Sequence, residues 1–176
     1  MGIELMNRTL TPELLQKIKG VELLILDVDG VLTNGQIYYG SNGIELKAFS
    51  AQDGYALKML TNIVKTAIIS GRNSEITTRR ASELDIDHVF QGEENKENAL
   101  NKLLDITGIK KNSMAHIGDD IPDLCIFDNV GVGFAPANAH PVLLQNADFV
   151  TTNKGGDGAV REICELLLKT KNLWEF

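Results

Sequence analysis

Leu23-Leu24-Ile25-Leu26-Asp27-Val28-Asp29-Gly30-Val31-Leu32-Thr33 is the stretch whose reading decides the fold. Four apolar residues in unbroken succession predict a strand covered on both faces, the pattern of a parallel sheet rather than of a half-solvated antiparallel one. Two carboxylates one residue apart close the run, at the strand tip where open α/β sheets place their ligand crevice. Asp27 and Asp29 repel each other at that spacing, so a cation should hold them, and a divalent metal is the natural candidate.

Outward from this strand the chain alternates. On its N-terminal side Thr11-Pro12-Glu13 offers a cap, a first-turn proline and an acid, which predicts a short helix over about 12–18 within an extension of residues 1–20. On its C-terminal side two β-prone runs flank Gly40-Ser41-Asn42-Gly43, so residues 35–49 read as a hairpin flap. Helices are then expected over 54–61, 74–84, 96–107, 140–145 and 158–169, with a short one after Pro122. Strands are expected over 65–69, 88–90, 114–117, 130–133 and 148–150. Repeated strand–helix units predict an α/β fold: a doubly wound, Rossmann-like parallel sheet with helices on both faces, forming one domain over residues 1–176.

Composition bounds the function. A length of 176 residues with 43% hydrophobic and 23% charged content suits one globular core. The net charge of −7 argues against a nucleic-acid partner, which wants a basic face. An anionic small molecule remains open, because a metal and a few local cations set the field of a pocket. Cys125 and Cys164 lack metal-ligand or redox spacing and read as two buried free thiols, which suits a reducing compartment. Residues 1–20 are interrupted by charges, unlike a signal peptide, and no apolar run reaches bilayer length, so a cytoplasmic protein with no membrane partner is expected.

Polar groups sit at four predicted strand ends: Asp27 and Asp29; Ser70-Gly71-Arg72; Lys96, which opens a helix; and Gly118-Asp119-Asp120 with Asp123. All strand C-termini of a parallel sheet lie on one edge, so these sets should converge. They suit phosphoryl transfer through an aspartate. Asp27 is the candidate nucleophile. Asp27, Asp119 and the carbonyl of Asp29 are candidate ligands of a magnesium-like ion. Asp29 is the candidate general acid and base. Ser70, Lys96 and loop N–H groups would steady the phosphoryl oxygens. Asp120 and Asp123 are read as capping the next helix and supporting the ligands from behind. His116 lies inside a buried strand and reads as a satisfied core histidine; His88 and His140 read as surface or packing residues. Tyr38 and Tyr39 alternate, so one should face in and one out.

These motifs, in this order, resemble the four motifs of the haloacid dehalogenase superfamily: Asp27-x-Asp29-Gly30-Val31-Leu32-Thr33, Ser70-Gly71-Arg72, Lys96 and Gly118-Asp119-Asp120-x-x-Asp123. The 31 residues 34–64 and the 23 residues 73–95 are too few for an inserted cap domain, so the resemblance is to capless members. A bare catalytic edge must find specificity and water exclusion elsewhere, and subunit association is a natural route. The chain further resembles the 3-deoxy-D-manno-octulosonate 8-phosphate phosphatase family. The shared features are residues 35–40 with two tyrosines, Glu45-Leu46-Lys47-Ala48-Phe49, Asp53-Gly54-Tyr55, Arg79-Arg80-Ala81 and Gly155-Gly156-x-Gly158-Ala159-Val160-Arg161-Glu162.

The resemblance implies magnesium, a phosphorylated sugar-acid substrate, a place in lipopolysaccharide synthesis in a Gram-negative source, and a homotetramer whose hairpins help cover neighbouring sites. By position it implies sugar-acid contacts from Ser50, Ala51, Gln52, Asp53, Gly54 and Lys58. It also implies that Gly71, Arg72 and Arg80 meet the carboxylate or phosphate, a role suited to a planar guanidinium. Adjacent Arg79 and Arg80 must point differently from a helix, and Arg80 is the one expected in the site. Two departures stand out: Ser50-Ala51-Gln52 replaces the family's usual Asn-Val-Arg, and 171–176 is not a Gly-rich tail. Related capless enzymes act on nine-carbon acid 9-phosphates, which is the alternative substrate. A phosphorylated receiver domain is disfavoured because residues 88–92, the third strand of the alternating series and its tip, include no aspartate. A non-catalytic binding module is disfavoured because every motif residue is intact.

Overall fold

The structure, a computed structural model, describes residues 4, 5 and 8–176. Strands β1 (Glu4–Leu5) and β2 (Arg8–Thr9) form a small antiparallel ribbon. It lies in the extension expected to be only helical; the rest of that expectation falls on residues 1–3, 6 and 7, outside the described residues. Helix α1 (Pro12–Lys19) begins where expected: Thr11 Oγ1 accepts the Leu14 N–H at 3.2 Å and Pro12 sits in the first turn.

Strand β3 (Leu23–Leu26) follows, then the hairpin β4 (Tyr38–Tyr39) and β5 (Glu45–Leu46), then α2 (Ala51–Leu60). The rest alternates as β6 (Lys65–Ser70), α3 (Glu75–Glu83), β7 (His88–Gln91), α4 (Lys96–Thr107) and β8 (Met114–Ile117). A 3-10 turn at Ile121–Asp123 leads into α5 (Leu124–Phe127). The chain ends with β9 (Val132–Ala135), α6 (Pro141–Asn146), β10 (Phe149–Val150) and α7 (Ala159–Thr170).

Six strands form one parallel sheet in the order β10-β9-β8-β3-β6-β7. The chain builds outward from β3 to β7, then returns to β3's other side and builds outward again. That reversal opens the crevice between β3 and β8 at their C-terminal ends. The four β3 side chains are wholly buried and divide by alternation. Leu24 and Leu26 pack with Ile18, Leu57, Ile163 and Leu167 from α1, α2 and α7. Leu23 and Ile25 pack with Leu100, Leu103 and Ile126 from α4 and α5 on the other face. Each such side chain contributes roughly 1.5–3 kcal/mol, so β3 is held rigidly on both sides. No cap domain is inserted among the described residues.

Several element ends differ from the sequence reading, for local reasons. Helix α2 starts at Ala51 because Ser50 Oγ accepts the Asp53 N–H at 3.3 Å. Gly54 then falls inside the helix, where an added Cβ would run into the Arg80 guanidinium. Strand β9 begins at Val132 rather than 130, because Gly131 turns tightly against the Asn112 backbone. Cys164 is fully buried, and burial pushes its thiol pKa up. Cys125 is only half-buried, contrary to the reading of both thiols as buried; it sits on the short α5. Tyr38 and Tyr39 are both exposed, at 52% and 66%, but they alternate: Tyr39, opposite Glu45, faces the body and Tyr38, opposite Leu46, faces away. No helix among the described residues is long and apolar enough to cross a membrane.

Candidate active site

The crevice is built from backbone turns. Asp27 continues β3, its N–H donating to Ile117 O at 3.1 Å. The chain then folds tightly: the N–H groups of Leu32 and Thr33 donate to Val28 O at 2.9 and 3.0 Å. Thr33 Oγ1 accepts from Gly30 N at 3.4 Å and Gly35 N at 3.1 Å, bracing the turn from inside. Gly30 has φ +95°, and a Cβ there would overlap the Asp119 carboxylate, so glycine lets the two loops touch. The loop at Gly155 and Gly156 closes the other side. A Cβ on Gly155 would strike Gly30 O, while Gly156 N donates to Val31 O at 2.9 Å.

Lys96 is the first residue of α4, whose start is capped by Asn95 Oδ1 accepting from the Glu97 and Asn98 N–H groups. Its ammonium is buried, 2.9 Å from Asp27 Oδ1 and 2.6 Å from Asp123 Oδ1. Asp123 Oδ2 accepts the N–H groups of Asp119 and Asp120 at 3.1 and 3.3 Å. Asp120 caps the turn that holds them, its Oδ1 accepting from Ile121 N at 2.8 Å. Ser70, at the end of β6, is buried against the same cleft. The cleft measures ≈ 410 Å³ and is lined by Asp27, Asp29, Ser70, Gly71, Arg72, Lys96, Asp119, Asp120 and Asp123, with Gly35, Glu93, Glu94 and Pro122.

Charge in this cleft is unbalanced. Carboxylate oxygens of Asp27, Asp119 and Asp123 lie within 4.8 Å of one another. Burial, then the charges of Asp27 and Asp123, push the Asp119 pKa up to about 7. Burial and Asp123 also raise the Asp27 pKa, against the pull of Lys96. Burial alone would lower the Lys96 pKa, but its two carboxylate partners outweigh that and raise it, so it stays charged. One ammonium therefore serves three acids. Both Asp123 oxygens are already committed to donors, which leaves Asp27 and Asp119 free to take a hard cation. An oxygen-only donor set with surplus negative charge fits magnesium.

Asp29 leans to the mouth of the cleft, where Lys47 Nζ lies 2.6 and 2.7 Å from its two oxygens. The Lys47 side chain is only 1% exposed. Arg72 Nε stands 3.7 Å from Asp29, and its Nη2 donates to Tyr39 Oη at 2.7 Å and lies 3.4 Å from Glu45 Oε2. The sequence reading does not place Lys47 in the site. Its signal is the alternation Glu45-Leu46-Lys47, which turns both charged residues toward the body while Leu46 is exposed.

The cleft does not gather the residues expected to contact the sugar acid from α2, nor Arg80. Helix α2 lies along α7, so its first turns sit on the flank of the molecule. Ala51 is exposed there. Asp53 is buried for a different reason, because its carboxylate accepts from Gly158 N at 3.3 Å and Arg161 N at 2.8 Å and so fixes the start of α7. Gln52 lines a separate cleft beside Arg161 and Glu162. Lys58 pairs with Asp85 at 2.6 Å on the surface. Arg80 donates to Ser50 O at 3.1 Å and stacks over Phe49, lining a second cleft under the hairpin together with Arg79. His140 Nδ1 accepts from Val142 N and caps α6.

Comparison with known proteins agrees with this geometry. The profile of haloacid dehalogenase-like hydrolases matches residues 55–163, and the chain belongs to that family. Within that class it stands with phosphatases of one kind. It is 46% identical over 159 residues to 3-deoxy-D-manno-octulosonate 8-phosphate phosphatase of Salmonella typhimurium, covering 90% of this chain and 85% of that one. Its fold matches the enzyme of that description from Yersinia pestis with a TM-score of 0.94 at 40% identity, over 98% and 94% of the two chains. It matches the one from Moraxella catarrhalis, solved with a magnesium ion, a phosphate ion and a KDO molecule, with a TM-score of 0.88 at 45% identity, over 91% and 92%.

Proposed function

We propose that this chain hydrolyses 3-deoxy-D-manno-octulosonate 8-phosphate to the free sugar acid and phosphate, in the making of lipopolysaccharide. The carrying observation is Asp27, buried at the tip of the central strand between Lys96 and Asp119. Magnesium would be held by the Asp27 and Asp119 carboxylates and the Asp29 carbonyl; when bound, it supplies positive charge to the phosphoryl oxygens. An Asp27 oxygen attacks phosphorus, and the bond to the sugar oxygen breaks. Asp29, as general acid, gives a proton to that leaving oxygen. It then takes a proton from the water that cleaves the aspartyl-phosphate. Lys96, Ser70 and the N–H groups of the Gly30 turn steady the phosphoryl oxygens. Gly71 and Arg72 are the cleft residues nearest to hand for the sugar acid's carboxylate.

We read the whole chain as one catalytic domain that assembles as a homotetramer. Support comes from the uncapped cleft and the exposed hairpin residues Tyr38, Tyr39, Ile44 and Leu46, an apolar set suited to covering a neighbouring copy's site. A cytoplasmic place is supported by two free cysteines.

The test is a panel of eight-carbon 8-phosphate, nine-carbon acid 9-phosphates and hexose phosphates, each assayed with magnesium. The highest kcat/KM should fall on the eight-carbon acid. A preference for a nine-carbon acid or a hexose phosphate would overturn the substrate, and no phosphate release from any would overturn the reaction.

A further inference from the structure

Arg72 is the cation at the mouth of the cleft, and its side chain is 44% exposed. Fixing a free arginine on an incoming anion costs rotamer entropy. Here the side chain is already restrained. Its Nη2 donates to Tyr39 Oη at 2.7 Å and lies 3.4 Å from Glu45 Oε2. Tyr39 and Glu45 are paired directly across the two strands of the hairpin, so a single cross-strand pair grips one nitrogen of the guanidinium fork. The fork's Nε stands 3.7 Å from Asp29 Oδ2. Nη1 has no hydrogen-bond partner among the described residues, which leaves its two N–H groups for an anionic oxygen.

The gripping pair is itself anchored. Glu45 Oε1 accepts the Ser74 hydroxyl at 3.0 Å. Ser74 is the N-cap of α3, where a serine oxygen ordinarily accepts a backbone N–H of the first turn, yet this one makes no capping bond. Its hydroxyl serves the hairpin instead, and the Glu45 carboxylate thereby rests at the positive end of α3. Two residues further on, Lys47 holds both oxygens of Asp29. The hairpin is thus docked on its own chain at two points, by Lys47 and by Glu45.

We propose that the cross-strand pair Tyr39–Glu45 is a positioning clamp that holds Arg72 ready for the carboxylate of the substrate, so that the hairpin sets acid preference within its own chain. This rests on the sugar-acid phosphatase reading of the cleft. The pair touches no reacting atom. It fixes one end of the fork before substrate arrives, which removes part of the ordering cost of binding. A partly exposed Arg–Glu pair adds little to stability, so loss of the clamp belongs in KM rather than in the melting temperature. A phosphomonoester without a carboxylate gains nothing from it.

The test uses the magnesium-loaded enzyme with Y39F, which deletes one hydroxyl, and E45Q, which removes the charge at nearly constant shape. Each is assayed on 3-deoxy-D-manno-octulosonate 8-phosphate and on p-nitrophenyl phosphate, which has no carboxylate. KM for the sugar acid should rise about three- to tenfold in each variant, the range of one lost hydrogen bond, with kcat within about twofold. KM for p-nitrophenyl phosphate should stay within about twofold. In an R72Q background neither substitution should raise KM for the acid further, because the clamp acts only through that arginine. An equal rise for both substrates, or full effects that persist with R72Q, would overturn the clamp. Wild-type activity on the acid that Y39F and E45Q leave untouched would overturn the clamp alone. Wild-type enzyme that hydrolyses p-nitrophenyl phosphate but not the acid would overturn the substrate reading and the clamp with it, before any variant is made. If E45Q undocks the hairpin and lowers the melting temperature, Y39F decides.

Discussion

Lys47 and Asp29, eighteen residues apart, form a salt bridge in which the lysine contacts both carboxylate oxygens at 2.6 and 2.7 Å. The hairpin thus reaches into the cleft of its own chain and sets the direction of the carboxylate proposed to handle protons. Lys47→Met should lower kcat roughly 10–100-fold, within the range of a misplaced general acid–base group. Lys47→Arg should keep much of the activity. Steady-state kinetics decide it, and an unchanged kcat for the methionine variant would remove Lys47 from the site.

Asp27→Asn should abolish phosphate release while preserving the fold. The metal-free variant should melt no lower than the wild type, because the amide keeps the shape and removes a carboxylate whose charge the folded state disfavours. Calorimetry and a phosphate-release assay on one sample test both halves. Residual turnover near wild type would end the nucleophile assignment.

Metal and protons should compete at Asp119. Its pKa is pushed up to about 7 from the usual 3.8 in the metal-free fold. The folded state then binds the proton more tightly than the unfolded chain does. The resulting stabilisation is complete below about pH 4 and is lost as pH rises through 7. The chelated protein should therefore melt at lower temperature at pH 8 than at pH 6, and magnesium should raise the melting temperature more at pH 8. Magnesium affinity should weaken up to about tenfold per pH unit below 7, because binding requires the carboxylate. Thermal scans with chelator or magnesium across pH 5–8 provide the measurement; a chelated protein that gains stability through that window would contradict it.

Gly155→Ala should damage both stability and turnover, since the new methyl group must push Gly30 O aside. A loss on the order of 2 kcal/mol is expected, as for other strained or overpacked positions. Gly108→Ala is the control. Its φ is +66° but nothing lies within 4 Å of the added Cβ, so it should cost about 1 kcal/mol and leave kcat alone. Equal kinetics in the two variants would show that the loop contact does not shape the site.

Asp53→Asn separates two roles for one residue. A cap on α7 predicts a loss of about 1–3 kcal/mol, since a buried carboxylate accepting two N–H groups becomes a poorer acceptor. KM for the sugar phosphate should stay within about twofold. A large rise in KM with no change in melting temperature would restore Asp53 to the substrate site.

The legible parts of this chain are those specified by short-range pattern. The apolar run at 23–26, the helix opening at Lys96 and the strand at 114–117 each carry their own instructions, so the sheet and the convergence of Asp27, Ser70, Lys96 and Asp119 can be read from spacing alone. What escapes such a reading depends on packing between distant segments. Asp53 looks like a substrate ligand because the chain near residue 158 that it caps is more than a hundred positions away. Lys47 looks like an ordinary hairpin lysine because its burial comes from folding back onto Asp29. His116 reads as a satisfied core residue, and its ring nitrogens do lie beside Ile25 O and Asp123 Oδ1, though a one-dimensional pattern cannot name those partners. The α2 contacts implied by the family resemblance fall on the flank of this single chain, where helix packing against α7 determines what faces the cleft.

The loop at Gly155 and Gly156 rests directly on the turn that follows Asp27. On the ribosome, Asp27 leaves the exit tunnel well before the loop that supports its turn, a delay on the order of ten seconds at ordinary rates of synthesis. A nascent or prematurely ended chain therefore exposes its acidic turn without the wall that shapes it. The wall of the site is complete only once the chain beyond Gly156 has been made.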